Sequence, residues 1–259
     1  MKISQLVPTP KGVFLAVARL IHLTGHNRIF RLLIGRKKTD SNEKKSISTA
    51  ITIVVEGEKL AQCVLGDDCL LPEDICRIYG VSYSEKQRTA LAMTVPGFMT
   101  LLWLRISGSM LVATLPTDCN LSQFHNLINQ PFCRRGEIWR LSPLQRFFRK
   151  DVVKACQWLA VRKRPYLGSM HKTWAFQQYF LTEEDYIPNA VEVTYAFTSF
   201  HKVRGVCLLY GVYVRTSSIS KDGRHIIVGD NRADGMNVCE FRDDEAGNCV
   251  GVLSARIAA

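Results

Sequence analysis

The sequence lacks the cysteine spacing and the leader segment that would each indicate a definite class of protein. No two of its nine cysteines form a C-x-x-C pair, so we expect no metal site and no cofactor. Ligation by Cys119, His125 and Cys133 is a weaker alternative to cysteines that act as small buried hydrophobes. Two prolines precede the first apolar run, which Arg19 and His22 interrupt, so no secretory signal is indicated and we expect a cytoplasmic protein.

Long uninterrupted apolar runs are also scarce. The segment TALAMTVPGFMTLLWLRISGSMLVATL (89–115) is broken by Pro96-Gly97 and by Arg105, and its unbroken parts are shorter than the roughly 20 residues that a spanning helix needs. We therefore expect no stable membrane span. Because Ser-Gly-Ser separates TLLWLRI from MLVATL, the segment predicts two buried strands joined by a hairpin turn.

Acidic residues are few in two stretches, which together carry the whole positive excess of the chain. Residues 1–46 contain ten lysines and arginines against two acids, and residues 134–172 contain eleven against two. The formal net charge of the 259 residues is +11. Such a surface attracts polyanions, so nucleic acid or an anionic membrane is the expected kind of partner.

The second basic stretch coincides with a helical pattern. SPLQRFFRKDVVKACQW (142–158) offers serine as the N-cap, proline at the first helical position and apolar residues at helical spacing, which predicts a helix with one buried face. A solvated helix face is the ordinary alternative for such a charge run. The candidate nucleic-acid contacts in this stretch are Arg134, Arg135, Arg140, Arg146, Arg149, Lys150, Arg162, Lys163 and Arg164.

The pattern of elements predicts an α+β fold. Near the N-terminus, KISQLV and the amphipathic residues 12–23 predict a strand and a helix, and 47–57 predicts another strand. LPEDICRIYG (71–80) predicts a short helix with acids in its first turn. The predicted organisation is an N-terminal α+β domain (1–120), a basic helical segment (121–175) and a C-terminal ferredoxin-like half (176–259).

The C-terminal half has the most regular pattern. VEVTYAF (191–197) predicts a strand, residues 199–214 a helix, and RHIIVG, MNVCEF and NCVGVLSARI further strands. This order fits half of a ferredoxin-like domain. An all-β arrangement, with CLLYGVYVRT as a strand, is the alternative because that run is rich in β-branched and aromatic residues.

The segment VGDNRADGMNVCEF (228–241) resembles the glycine-rich loop of the CRISPR-associated RNA-binding superfamily known as RAMP proteins. Gly229, Arg232 and Gly235 stand at the matching places, where glycines admit a close approach of phosphate to the backbone and arginine adds a bidentate donor. The sequence departs from the family at Asn237, where another glycine is usual, and by acids at 230 and 234. Two ordinary hairpin turns, KDG and ADG, are an equal alternative.

The resemblance implies one ferredoxin-like domain, or two such repeats, with antiparallel sheets. It implies an RNA-binding subunit of a ribonucleoprotein that grips CRISPR RNA beside other protein subunits in antiviral defence. A metal-independent endoribonuclease that processes the precursor RNA is the enzymatic variant, with His26 and then His22 as the candidate bases.

Two further classes remain open. A membrane-surface or interaction protein would use residues 12–34 as a basic amphipathic helix and 89–115 as an apolar face. A serine hydrolase similar to bacterial signal peptidases would use Ser109 together with the GDN sequence at 229–231, although no lysine follows on a predicted strand to activate the serine.

Overall fold

The described part of the chain is built from seven helices and two four-stranded sheets. The computed structural model describes residues 57–128, 150–232 and 235–258, all within one structural unit, Ile47–Ala259. The helices are α1 (57–65), α2 (Pro72–Tyr79), α3 (Glu85–Met93), α4 (Phe98–Ser107), α5 (Leu121–Ile128), α6 (Trp174–Gln177) and α7 (Ala190–Arg204). The strands are β1 (Cys69–Leu70), β2 (Ser109–Ala113), β3 (Trp158–Arg162), β4 (Tyr213–Ile219), β5 (His225–Arg232), β6 (Gly235–Phe241), β7 (Val250–Val252) and β8 (Ala255–Ala258).

Both sheets are mixed, so the expectation of purely antiparallel sheets is wrong, whereas the α+β class is confirmed. The first sheet has the order β1-β2-β3-β8 and the second has the order β6-β5-β4-β7. Strand β1 runs parallel to β2, and β4 runs parallel to β7. Parallel neighbours require a long crossover, and the chain makes the first one through α2, α3 and α4. The first sheet takes strands from all three of the segments 1–120, 121–175 and 176–259.

Helix α7 is the central element, since it contacts β1 and β3 of the first sheet and β4, β5 and β6 of the second. The Asn189 side chain begins it by accepting the backbone N–H groups of Val191 and Glu192, each at 2.9 Å. The Glu192 carboxylate in turn accepts the Asn189 N–H at 2.8 Å. This reciprocal cap fixes the start of the helix, and Gly205, with φ of 70°, ends it.

The sequence prediction over this region is wrong. VEVTYAF lies inside α7 instead of forming a strand, and α7 ends at Arg204, so 199–214 is not one helix. Because α7 is packed on several sides, its apolar residues do not lie along one face of the helix. Its valine, threonine and tyrosine residues are also common in strands, so the sequence favoured a strand. The observed order over 190–241 is helix, strand, strand, strand. Of CLLYGVYVRT, only the last four residues belong to a strand.

The prediction of two strands in the apolar segment 89–115 is confirmed for its second half and wrong for its first. MLVATL supplies β2, as expected, but TLLWLRI lies in α4. Leucine and methionine favour a helix intrinsically, and glycines stand at both ends of it, at Gly97 and at Gly108, whose φ is 69°. Leu101, Leu102 and Leu104 of α4 are buried in the core.

Residues 150–158, the part of the predicted helix 142–158 that the structure describes, are not helical. Val153 forms an isolated antiparallel bridge with Cys119, and the Asp118 carboxylate accepts the Ala155 N–H at 2.8 Å. Trp158 begins β3 and is fully buried, with its indole N–H donating to the Leu91 carbonyl oxygen at 2.7 Å. These pairings with distant parts of the chain override the local helical pattern.

Other predictions are confirmed. LPEDICRIYG forms α2, which ends at Gly80 in the left-handed conformation, and RHIIVG and MNVCEF form β5 and β6. NCVGVLSARI is strand-forming, but it divides into β7 of the second sheet and β8 of the first. The predicted elements at KISQLV, 12–23 and 47–56, and the helical start 142–149, lie outside the described residues.

Candidate nucleic-acid interface

An open cleft of about 670 Å³ lies between two connections, residues 163–171 after β3 and residues 206–212 after α7. Lys163, Arg164, Tyr166 and His171 line the first side, and Cys207 and Tyr210 line the second. We call residues 163–171 the basic wall and residues 206–212 the apolar wall. The two walls differ in chemistry, since the apolar wall has no charged residue.

Backbone and side-chain hydrogen bonds hold the basic wall against both sheets. Near its start, the Lys163 N–H donates to the Gly108 carbonyl at 3.1 Å, and the Tyr166 N–H donates to the Val252 carbonyl at 2.9 Å. Ser169 is fully buried and its hydroxyl oxygen accepts the Val252 N–H at 3.1 Å. At the far end, the His171 N–H donates to the Gly247 carbonyl at 3.2 Å. This segment is therefore anchored at several points along its length.

The apolar wall is a tight turn with two left-handed residues. Leu209 has φ of 61° and Gly211 has φ of 68°, and the Val212 N–H donates back to the Leu209 carbonyl at 3.2 Å. The Leu209 side chain points into the core, whereas the Tyr210 side chain next to it is 66% exposed. The turn thus places an aromatic ring at the mouth of the cleft.

The three basic residues that begin this region have different surroundings. The Arg162 guanidinium lies 4.2 Å from the centre of the Tyr166 ring, an arrangement that stabilises the cation. The Lys163 ammonium lies 2.6 Å from both carboxylate oxygens of Asp68. Arg164 is exposed and makes no ion pair or side-chain hydrogen bond with the described residues. Among the three, Arg164 is therefore the cation that is available to a ligand.

A further basic side chain, Lys172, lies directly after the basic wall, and the imidazole of His171 precedes it. His171 and Lys172 are exposed, and within the described ranges their side chains have no hydrogen-bond or ion-pair partner. Residues 162–172 contain no aspartate or glutamate. Arg164 and Lys172 therefore present positive charge that carboxylates of the described residues do not cancel, whereas Asp68 neutralises Lys163.

The glycine-rich segment is a β-hairpin. Strands β5 and β6 pair from His225 opposite Phe241 to Arg232 opposite Gly235, with an irregularity between Gly229 and Arg232. A Cβ atom added to Gly229 would lie 2.1 Å from the Val212 carbonyl oxygen. This glycine therefore permits close packing of two backbone segments, and the space beside it is filled by protein.

The remaining predicted site residues divide into three groups. Lys150 is exposed and lies outside the cleft lining, and Lys154 of the same region pairs with Asp118 at 3.0 Å. The residues that fall outside the described ranges are Arg134, Arg135, Arg140, Arg146 and Arg149, together with His22 and His26. Arg232 ends β5 and Gly235 begins β6, so both belong to the hairpin.

Sequence reasoning missed Tyr166, Tyr210, His171 and Cys207 as members of one site. The glycines at 205 and 211 frame the turn that carries Cys207 and Tyr210, and they were the available signal. The predicted helix over 199–214 obscured it.

The candidate serine nucleophile has no access to a substrate. Ser109 begins β2 and is only 2% exposed, and its hydroxyl oxygen lies 2.8 Å from that of Ser107, the last residue of α4. The GDN residues 229–231 belong to β5 of the second sheet. The two parts of the supposed hydrolase site thus lie in different sheets.

An exposed apolar face lies on α3 and α4. Met93 at the end of α3, and Met99, Trp103 and Ile106 at helical spacing on α4, are all exposed. Within the described residues no single helix is both long enough and apolar enough to cross a membrane. Helices α3 and α4 together have the required length and composition, but they are bent by 79° relative to each other. In the same ranges no group of three or more His, Cys, Asp or Glu residues is arranged to hold a metal ion.

Comparisons of the chain with protein-family models, curated proteins and solved structures find no match.

Proposed function

We propose that the protein binds RNA and that the cleft holds a single-stranded segment of it. The observation that carries this proposal is that the two walls line one cleft. Arg164, which has no ion-pair partner among the described residues, lies on one side, and the exposed Tyr210 lies on the other. Single-stranded nucleic acid needs both elements, because its phosphates bind cations and its unstacked bases pack on aromatic rings.

The charge of the cleft supports a polyanion as the ligand. Arg164 in the cleft and Lys172 directly after the basic wall lack carboxylate partners among the described residues, whereas Lys163 is neutralised by Asp68. The guanidinium of arginine is a bidentate donor that suits phosphate oxygens. The overall charge of +11 adds long-range attraction, which speeds the encounter with a polyanion.

The finer parts of the proposal rest on the resemblance of residues 228–241 alone. These are a ferredoxin-like relationship, CRISPR RNA as the ligand and assembly with other protein subunits, whereas the proposed cytoplasmic location rests on the sequence pattern near the N-terminus. The β5–β6 hairpin and the filled space at Gly229 give them no further support. RNA binding at the cleft is independent of them.

The test is fluorescence anisotropy with a labelled oligouridylate and with an RNA duplex of equal length, each measured over a range of salt concentrations. We expect tighter binding of the single strand, with an affinity that falls steeply as salt rises, because each phosphate contact contributes about 0.7 to the log–log slope. Equal affinity for both RNAs, or an affinity that does not depend on salt, would contradict the proposal.

A second candidate function is attachment to a lipid surface through the apolar face of α3 and α4. The observation that favours it is the stripe of Met99, Trp103 and Ile106, because α4 also buries leucines on its inner side and is thus apolar nearly all round. Flotation with phosphatidylcholine–phosphatidylserine vesicles tests it. Binding that survives the double substitution Met99→Glu with Ile106→Glu would exclude this face.

A further inference from the structure

A cysteine and a histidine form a close pair at the edge of the cleft. The Cys207 sulfur lies 3.1 Å from Nδ1 of His201, and Cys207 lines the cleft while His201 belongs to the last turn of α7. The pair combines a nucleophilic atom, a base and a space for a reactant. RNA binding assigns no role to it.

The end of α7 explains why the two side chains meet. The Gly205 N–H donates to the His201 carbonyl at 2.7 Å, and the left-handed backbone at Gly205 turns the chain back over the last helical turn. Cys207 follows two residues later and comes to lie beside the imidazole. The contact is thus a product of the helix end and does not depend on the ligand.

Four other cysteines do not share this environment. Burial raises the pKa of Cys69 to about 12 and that of Cys119 to about 11, so both are inert thiols. Cys63 and Cys249 are exposed, but neither has a hydrogen-bond partner for its sulfur among the described residues. Within those residues, Cys207 has both a base at its sulfur and a cleft in front of it.

The protonation state of the pair decides which chemistry it can perform. Partial burial raises the pKa of the Cys207 thiol, so at neutral pH the sulfur is protonated at rest. With the imidazole proton on Nε2, Nδ1 is free to accept the S–H proton as the sulfur attacks. His201 then acts as a general base for a neutral thiol.

We propose that Cys207 is a nucleophilic thiol that exchanges with small disulfides carrying carboxylate groups. In the exchange the Cys207 S–H proton passes to His201 Nδ1, and the sulfur attacks one sulfur of the disulfide. A new S–S bond forms while the original one breaks, and the proton on His201 passes to the departing thiolate or, where that thiolate is too weak a base, to the solvent. The products are a mixed disulfide at Cys207 and one free thiol, so no further oxidant is required.

The Arg164 cation of the basic wall determines the preferred reactant. Arg164 lines the same cleft and lacks a carboxylate partner in the described part of the chain, so it attracts an anionic disulfide toward the sulfur. The adduct at Cys207 then occupies the cleft. If the RNA proposal holds, modification of Cys207 also blocks RNA binding, which makes the cleft sensitive to thiol oxidation.

The experiment uses 5,5′-dithiobis(2-nitrobenzoate), a disulfide with two carboxylates, and follows release of the coloured thiolate, with peptide mapping by mass spectrometry to assign each site. We expect Cys207 to react at least about tenfold faster than the more exposed Cys63 and Cys249, because those thiols have no neighbouring base. His201→Gln removes the base and lowers the rate at Cys207 to that of the exposed thiols. Lys202→Gln, in the same helical turn, is the control and changes the rate less than about twofold.

Two outcomes overturn the proposal: Cys207 reacts no faster than Cys63 and Cys249, or His201→Gln leaves its rate unchanged while the thermal melt shows a folded protein. A neutral reagent, 2-hydroxyethyl disulfide, isolates the charge effect, since Arg164→Glu should slow the anionic reagent more than the neutral one. The reactivity is measured without RNA. Fast modification in a protein that fails to bind RNA would therefore reject the RNA proposal alone.

Discussion

Nζ of Lys163 lies 2.6 Å from each carboxylate oxygen of Asp68, a residue 95 positions away in the sequence. Both side chains are about one quarter exposed. The pair ties the start of the basic wall to the turn before β1. Lys163 therefore stabilises the fold more than it contacts a ligand, although its sequence context resembles that of Arg164.

Replacement of Lys163 tests this division of roles. Lys163→Gln leaves Asp68 partly buried without its partner, and we expect a loss of about 1 kcal/mol in the free energy of unfolding, reduced by solvent screening. Urea denaturation measures it, and Asp68→Asn in the same chain should restore part of the loss. RNA affinity should fall less for Lys163→Gln than for Arg164→Gln. The reverse order would show that Lys163 is a ligand contact.

Arg164 and Lys172, which have no ion-pair partner among the described residues, should account for part of the salt dependence of RNA binding. We expect Arg164→Glu with Lys172→Glu to weaken binding of every RNA sequence and to lower the log–log salt slope by about 1.4, since two phosphate contacts of about 0.7 each are lost. The matched control is Lys86→Glu with Lys221→Glu, which changes the net charge equally at exposed positions outside the cleft lining. Equal losses in both double variants would mean that only net charge matters.

Tyr210 should contribute by stacking. Tyr210→Ala is expected to cost about 1–3 kcal/mol of RNA binding free energy with little change in stability, because the ring is 66% exposed in the free protein. Tyr179 is 84% exposed and lies outside the cleft lining, so Tyr179→Ala is the control. Anisotropy titrations compare the two, and Tyr210→Phe should retain affinity because it keeps the aromatic face. A loss in Tyr179→Ala as large as in Tyr210→Ala would refute the assignment.

Gly229 should contribute to the stability of the fold and should not contact RNA. A Cβ at this position would meet the Val212 carbonyl oxygen at 2.1 Å and the Tyr213 Cα at 2.5 Å, so Gly229→Ala forces two strands apart and should cost about 3 kcal/mol of stability. At Gly223 an added Cβ meets nothing within 4 Å, so Gly223→Ala carries only the strain of its φ of 73°, about 1 kcal/mol. Thermal melts distinguish the two. A stable Gly229→Ala protein with weakened RNA binding would favour the phosphate-binding interpretation of the glycine segment.

Local signals predicted the elements that local interactions determine. Pro72 at the first turn and Gly80 at the left-handed end define α2, and the pairing of β5 with β6 follows from two runs of alternating residues that are close in sequence. Helix α7 escaped prediction because its burial on several sides removes the helical period. The cleft could not be predicted, since it forms where connections that follow β3 and α7 meet in space. The same holds for Lys163, whose partner Asp68 is distant in sequence.

The buried Glu192 at the start of α7 gives the protein a pH dependence of known sign. Burial raises the pKa of this carboxyl above its ordinary value of 4.5, against the opposing effect of the hydrogen bonds from the Asn189 N–H and the Tyr186 hydroxyl. A group whose folded-state pKa is raised contributes stability that is present below the unfolded pKa and is lost as pH rises through the folded pKa. Glu192→Gln keeps an oxygen for the Asn189 N–H and carries no charge. We therefore expect the stability of the parent, relative to Glu192→Gln, to decline as pH rises above about 4.5 and to level off once Glu192 is ionised in the folded protein. Urea denaturation of both proteins across this range measures the difference, and a relative stability of the parent that increases with pH would show that the hydrogen bonds outweigh the cost of burial.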